Sequence, residues 1–118
     1  MARRVLIVDD HARFRRIARR ALERDGWTIV GEASDGEEAL HAVRALEPDV
    51  VVIDVGLPGM SGLQVARRVR DEMPELLVVV MSTRDSADYH ELAVASGARG
   101  FLPKAELSSA ALAALVSD

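Results

Sequence analysis

Val50-Val51-Val52-Ile53-Asp54-Val55-Gly56-Leu57-Pro58 decides how the chain folds. Four apolar residues run straight into one carboxylate, and a glycine and a proline then turn the chain. An apolar run without polar alternation marks a strand buried on both faces, as in parallel sheets covered by helices. Asp54 then stands at the strand's carboxyl end, where open α/β sheets bind their ligands. A carboxylate there is either a ligand for something positive or a nucleophile.

Outward from this strand the pattern repeats. On the N-terminal side, Val5–Val8 is a short buried strand ending at Asp9-Asp10. A helix of about four turns follows from His11 to Arg24. Phe14, Ile17, Ala18, Ala21 and Leu22 share its inner face, while Arg13, Arg16, Arg19, Arg20 and Arg24 mostly point away. Asp25-Gly26 stops it. Trp27–Val30 reads as a less buried strand. Ser34 or Asp35 caps a second helix to about Leu46, with Glu37 and Glu38 in the first turn, where the helix dipole favours acids. Its inner face carries Ala39, Leu40, Val43 and Leu46.

On the C-terminal side, Ser61 caps a third helix with the stripe Leu63, Ala66, Val69 and Met73, closed by Pro74. Leu76–Met81 is the most apolar run and delivers Ser82-Thr83 to the sheet's end. A fourth helix spans roughly Ser86 to Ser96 and stops at Gly97. Gly100–Pro103 is a last short strand, followed by Lys104, and Ser108 or Ser109 begins a terminal helix within Leu107 to Val116. Five βα units of regular length predict an α/β protein with a parallel sheet and helices on both faces. The expected architecture is a flavodoxin-like (βα)5 three-layer sandwich with strand order 2-1-3-4-5. It forms one domain over residues 1–118.

Composition narrows the function. A chain of 118 residues buries roughly two thirds of its unfolded surface, enough for a core without staples. The absence of cysteine excludes disulfides, a thiol nucleophile and a thiolate metal site. The three histidines are scattered, and a net charge of −4 argues against nucleic acid as the main partner. The apolar stretch after Arg3-Arg4 is too short for a signal peptide, and nothing approaches a membrane span of about 20 residues. A soluble cytoplasmic protein is expected.

The predicted strand ends converge on one edge: Asp9 and Asp10, then Asp54, then Ser82 and Thr83, then Lys104. Three carboxylates side by side in a dry pocket require a cation. Lys104 supplies one positive charge, and Mg²⁺ suits the remaining oxygen donors, including the Gly56 carbonyl. A metal, an ammonium and a hydroxyl around a free carboxylate are the parts that bind a phosphoryl group. Asp54 would be the nucleophile, forming an aspartyl phosphate, with Lys104 and Ser82 contacting phosphoryl oxygens. Individually these features also fit a polar loop, a helix cap and a solvated lysine. His11 reads as a helix-start residue rather than a base, and the arginines of the first helix as a solvated face rather than a docking surface. The convergence on one edge favours the site.

Val5-Leu-Ile-Val-Asp-Asp-His11, Gly31-Glu-Ala-Ser-Asp-Gly-Glu-Glu-Ala-Leu40, Pro48-Asp-Val-Val-Val-Ile-Asp54, Leu57-Pro-Gly-Met-Ser-Gly62, Val80-Met-Ser82 and Gly97-Ala-Arg-Gly-Phe-Leu-Pro-Lys104 stand in this order at this spacing. In them the whole chain resembles the receiver domain of two-component response regulators. It is most similar to receivers that precede a helix-turn-helix DNA-binding domain. The resemblance implies that Asp54 is the phosphoacceptor and that Asp9, Asp10, Asp54 and the Gly56 carbonyl form the Mg²⁺ site. Lys104 is then the catalytic lysine, Ser82 the switch hydroxyl and Phe101 the switch aromatic. A sensor histidine kinase or histidine phosphotransfer protein would donate the phosphoryl group. Output would pass through the fourth helix, fifth strand and fifth helix, a face that also suits a homodimer. Such a chain is not an enzyme beyond its own phosphoryl transfer and autodephosphorylation, and it binds neither membrane nor nucleic acid directly. Whether it stands alone or belongs to a longer regulator is open.

Several positions depart from the family pattern. Thr83 replaces the usual small residue and is expected to narrow access to Asp54. Arg84 and Gly56 occupy positions that tune phosphate lifetime. Pro103 precedes Lys104 where many members have a cis proline after it, so a trans Lys104–Ala105 bond is expected. Three other readings compete with a phosphorylation switch. An aspartyl phosphatase would need a second Asp where Gly56 stands. A nucleotide or flavin module would need a Gly- or hydroxyl-rich turn in place of Asp9-Asp10-His11-Ala12. A pseudo-receiver would not need the full acidic set.

Overall fold

The computed structural model describes residues 3–83 and 87–117. Strand β1 (Arg4–Val8) leads to helix α1 (Ala12–Arg24), β2 (Thr28–Ala33) to α2 (Gly36–Leu46) and β3 (Val50–Asp54) to α3 (Gly62–Glu72). Strand β4 (Leu77–Ser82) leads to α4 (Ala87–Ala95), and β5 (Gly100–Pro103) passes through a 3-10 turn, Lys104–Glu106, to α5 (Ser109–Val116). Neighbouring strands are all parallel, in the order β2-β1-β3-β4-β5. This is the flavodoxin-like arrangement expected from the βα alternation.

Successive strand residues point to opposite faces, which splits the apolar runs into two cores. Val5, Ile7, Val50, Val52, Val79 and Met81 pack with Ala18 and Leu22 of α1 and Leu112 and Val116 of α5. Leu6, Val8, Val51, Ile53, Val78 and Val80 pack with residues of α2, α3 and α4, including Leu40, Val43, Val65, Val69 and Ala93. Strand β3 is buried at every position, so its sequence carries no alternation. Each fully buried Val or Ile stabilises the fold by about 1.5–3 kcal/mol.

The caps fix where helices begin. The Asp35 carboxylate accepts the Glu38 N–H at 2.8 Å, and Glu38 reaches back to Ser34. Ser61 and Gln64 form a reciprocal capping box on α3. Ser108 caps α5 through the Ala111 N–H. Of the two candidate caps at each site, Asp35 and Ser108 are used, because each holds the extended backbone just before the first helical turn.

Some boundaries differ from expectation. Strand β2 starts one residue later and continues to Ala33, past Gly31 and Glu32. The register slips so that Val5 pairs Ile29 and Leu6 pairs Gly31, leaving Val30 extra. A Cβ at Gly31 would meet the tip of the Leu46 side chain, which would have to shift to admit it. Strand β1 begins at Arg4, and β4 is shifted to include Ser82. The inner face of α1 is narrower than its periodicity suggested: Ile17 is 58% exposed and Ala21 is exposed. Both line an open apolar groove toward Leu107 that α5 does not cover. In α3, Val65 joins the buried stripe while Leu63 and Met73 are half-buried. The expected start of the fourth helix, Ser86, and the phosphate-lifetime position Arg84 lie outside the described residues. The Lys104–Ala105 bond is trans, as expected.

Candidate functional site

The carboxyl ends of β1, β3 and β4 stop at the same level, and their polar residues meet there. Asp9 follows β1 and is fully buried. Its N–H donates to the Ala33 carbonyl and its own carbonyl accepts from the Arg15 guanidinium at 2.5 Å, so its peptide is held from both sides. Arg15 is in turn fixed by Glu32, which also binds Arg19 at 2.8 Å. Glu32 therefore links β2 to α1, and the two arginines hold its carboxyl below the usual range despite partial burial.

Asp54 is the last residue of β3 and is 5% exposed. Burial raises its carboxyl above the usual range; Lys104 opposes this and Asp9 reinforces it. The backbone N–H of Gly56 donates to the Asp54 carboxylate. Gly62, at the start of α3, packs against the Asp54 carbonyl so closely that no Cβ would fit. That contact fixes the end of β3 against α3.

Lys104 reaches this pair from beyond β5. Its Nζ forms an ion pair with Asp9 Oδ2 and lies 3.5 Å from Asp54 Oδ2. The ammonium also sits 4.7 Å from the centroid of the Phe14 ring, a cation–π contact from α1. Lys104 is the only lysine in the sequence; every other strongly basic side chain is arginine. Its ammonium is a compact point charge placed against two buried carboxylates.

Asp10 stands at the rim. The His11 ring lies between the two neighbouring acids, with Nδ1 3.1 Å from both Asp9 Oδ1 and Asp10 Oδ1. Ser82 is buried at the end of β4, beside Pro103 in the sheet register. Phe101 is buried under α4, stacked on Tyr89 at 5.7 Å and edge-on to His90 at 4.7 Å. Thr83 is exposed and lines the same groove as Phe14 and Lys104.

The structure thus joins Asp9, Asp54 and Lys104 in direct contact, sets Asp10 beside them, and places Ser82 on the next strand end. Phe101 lies apart, in the core under α4. Three further residues take part: His11, Phe14 and Arg15. His11 is the helix start its position suggests, yet its ring also belongs to the acidic cluster. Phe14, expected in the core, also faces Lys104, and Arg15 anchors the Asp9 peptide. The spacing Asp10-His11-(x)2-Phe14-Arg15 carried the signal, since the first turn of a helix leaving a sheet edge faces that edge.

The donor set fits a hard divalent cation. Asp9, Asp10, His11 and Asp54 each offer a ligand atom, all within 4.8 Å of one another. Among the described residues, two of the carboxylates are buried and share one ammonium, which leaves negative charge in excess. Carboxylate-rich sites of this kind suit Mg²⁺.

The chain matches the response regulator receiver domain over residues 5–116. It belongs to that family. This receiver is 38% identical over 102 residues to the response regulator GacA of Pseudomonas viridiflava, covering 86% of the chain and 48% of GacA. It spans about half the length of the curated relatives it matches. A two-component response regulator of the LuxR family from Aurantimonas sp. superposes with a TM-score of 0.89 at 32% identity, over 98% of this chain and 86% of the other. The CheX–CheY–BeF3–Mg²⁺ complex from Borrelia burgdorferi superposes at 0.86 and 25% identity, over 96% and 85%. Receiver domains are signalling switches, and this chain carries the family's acidic pocket.

Proposed function

We propose that the chain is a phosphorylation-activated switch that accepts a phosphoryl group on Asp54. One observation carries this reading: a buried carboxylate at the central strand's end, 3.5 Å from the only lysine and facing a second buried acid. The donor is the phosphohistidine of a sensor histidine kinase or phosphotransfer protein. An Asp54 carboxylate oxygen attacks phosphorus as the bond from phosphorus to the histidine nitrogen breaks, so the phosphoryl group moves without net loss of charge. Lys104 shifts its ammonium toward the incoming phosphoryl oxygens, and Ser82 donates its hydroxyl to one of them. Asp9, Asp10, Asp54 and the Gly56 carbonyl would hold Mg²⁺, which neutralises phosphoryl charge when bound. The BeF3 and Mg²⁺ of the Borrelia CheY complex support this assignment by likeness.

Phosphorylation adds a charge of about −1.5 to −2 at the sheet edge. Ser82 and Phe101 carry the response outward: β4 and β5 are neighbours, and Phe101 lies against α4. Output therefore passes through α4, β5 and α5, a face where Leu92 and Val94 are exposed and a second copy can dock. The whole chain acts as one receiver domain in the cytoplasm; among the described residues no helix is long and apolar enough to cross a membrane. It turns over no external substrate.

Intact mass after incubation with Mg²⁺ and acetyl phosphate tests the reading. A single hydroxylamine-labile phosphoryl gain is expected, absent in Asp54→Asn and in EDTA. A gain that persists in Asp54→Asn would refute the acceptor, and no gain in the wild-type protein would refute the switch.

A further inference from the structure

We infer that copies of this chain associate head to tail, the basic outer face of α1 on one copy seating on the acidic outer face of α4 on the next. The contact involves neither a metal nor a phosphoryl group, so it stands or falls apart from the switch reading.

The two helices present matching stripes. On α1, Arg13, Arg16, Ile17 and Arg20 are exposed at the spacing i, i+3, i+4, i+7, which is one helix face, and Arg24 extends it. On α4, Asp88, Glu91, Leu92 and Ala95 are exposed at the same spacing. Each stripe carries a large aliphatic residue at its i+4 position, Ile17 at 58% exposure and Leu92 at 49%. The charges beside them are opposite in sign. Of the six arginines of α1, Arg15 and Arg19 are committed to Glu32. Arg13, Arg16, Arg20 and Arg24 form no ion pair among the described residues. A chain of net charge −4 thus keeps four arginines in one stripe that its own acids do not answer.

The fold makes the contact intermolecular. Helix α1 packs with α5 on one face of the sheet, and α4 packs with α2 and α3 on the other. The two stripes of one copy therefore face away from each other. Charge then selects the partner. A symmetric dimer through α1 sets arginine against arginine, and one through α4 sets acid against acid; like charges juxtaposed at an interface are costly. Of the three pairings of these faces, only α1 on α4 matches opposite charges around the exposed aliphatic pair. Such a heterologous contact leaves a stripe free at each end for a further copy. One pair of short helices offers less than the roughly 1,600 Å² of a standard stable interface, so the association is weak and sensitive to salt.

Sedimentation velocity of the unphosphorylated protein in EDTA, over a concentration series at low and at high salt, reads the association. At low salt the weight-average mass is expected to rise past that of a dimer without a plateau, and at high salt to fall back toward that of a single chain. Arg16→Glu blocks the α1 stripe and Leu92→Ser the α4 stripe. Both residues are exposed and lie outside the phosphorylation site, and thermal melts check that each variant folds. Each variant alone is expected to associate about tenfold more weakly, a loss of about 1.4 kcal/mol. Their equimolar mixture should form a complex of two copies and stop there, since it retains one native α1 stripe and one native α4 stripe. A wild-type mass that stays at one copy throughout would overturn the contact, and so would a mixture that does. A wild-type plateau at the dimer, unmoved by either variant, would overturn it in favour of a symmetric interface elsewhere.

Discussion

Lys104→Met removes the one ammonium shared by two buried carboxylates while keeping the length of the side chain. Its Nζ is paired with Asp9 and stands 3.5 Å from Asp54. With an effective dielectric constant near 20, a unit-charge contact at that distance is worth about 5 kcal/mol before desolvation of the lysine is subtracted. Removing one partner of a buried pair costs about 3–5 kcal/mol, because the other charge is left uncompensated. The protein has an escape: the two acids can take up one proton. Protonating a carboxyl of ordinary pKa at neutral pH costs about 4 kcal/mol, at 1.36 kcal/mol per pH unit, and that sets a ceiling. The expected loss at pH 7 in EDTA is therefore about 3–4 kcal/mol, or roughly 12–16 °C in Tm for a chain of this length.

The proton also fixes the pH dependence. The folded variant binds one proton more than the unfolded chain, so its stability rises as pH falls, by about 1.4 kcal/mol per unit relative to wild type. Urea unfolding followed by Trp27, the only tryptophan, reads this directly, since that residue packs on the α1–α5 core far from the site. Mg²⁺ should restore much of the loss by replacing the missing charge. A Lys104→Met protein within about 0.5 kcal/mol of wild type at pH 7, or one whose deficit does not shrink on acidification, would refute the charge argument.

Asp54→Asn should be more stable than wild type at neutral pH in EDTA. Because the folded Asp54 carboxyl titrates above its unfolded value, wild-type stability falls as pH rises through that window, and the amide abolishes the fall; midpoints of urea unfolding across acid to neutral pH would show the two proteins converging below the window. Thr83→Ala should speed phosphorylation by acetyl phosphate a few-fold, since Thr83 lines the groove that opens beside Lys104; unchanged phosphorylation and dephosphorylation rates would dismiss Thr83 as an access barrier. Glu47→Gly should gain about 0.5–1 kcal/mol, because Glu47 ends α2 in the left-handed region at φ 47°, where glycine has no Cβ penalty; thermal melts would detect a rise of roughly 2–4 °C.

The fold was legible because its signals are redundant. Five apolar runs, each followed by a capped amphipathic helix, leave little freedom once crossovers are right-handed. What escaped was β2 beyond Val30, where Gly31 and Glu32 interrupt the apolar run. Glu32 is polar because it answers Arg15 and Arg19 across the α1 interface, a contact no local pattern encodes. The exposure of Ile17 escaped for a related reason. Periodicity locates a face, but how much of that face a neighbour covers depends on the reach of α5. At the site, the acids and Lys104 could be placed from strand ends alone. The roles of His11, Phe14 and Arg15 depend on how the first turn of α1 tilts over β1, which is set by packing.

The two ends of the sheet show why chemistry belongs to one of them. At the amino edge, the Arg4 guanidinium binds the Leu46 and Glu47 carbonyls and its N–H binds Asp49, all within 3.0 Å and all near solvent. Further along that end, Arg44 and Glu72 form a short but exposed pair, of the kind that contributes little. Charges there lie near solvent and are screened. At the carboxyl edge, two buried acids share the Lys104 ammonium among the described residues, and their peptides are held by β2, α1 and α3. Such a site is destabilising when empty and is relieved by whatever brings positive charge to it. On the proposed reading, the same imbalance would favour a divalent ion at this edge.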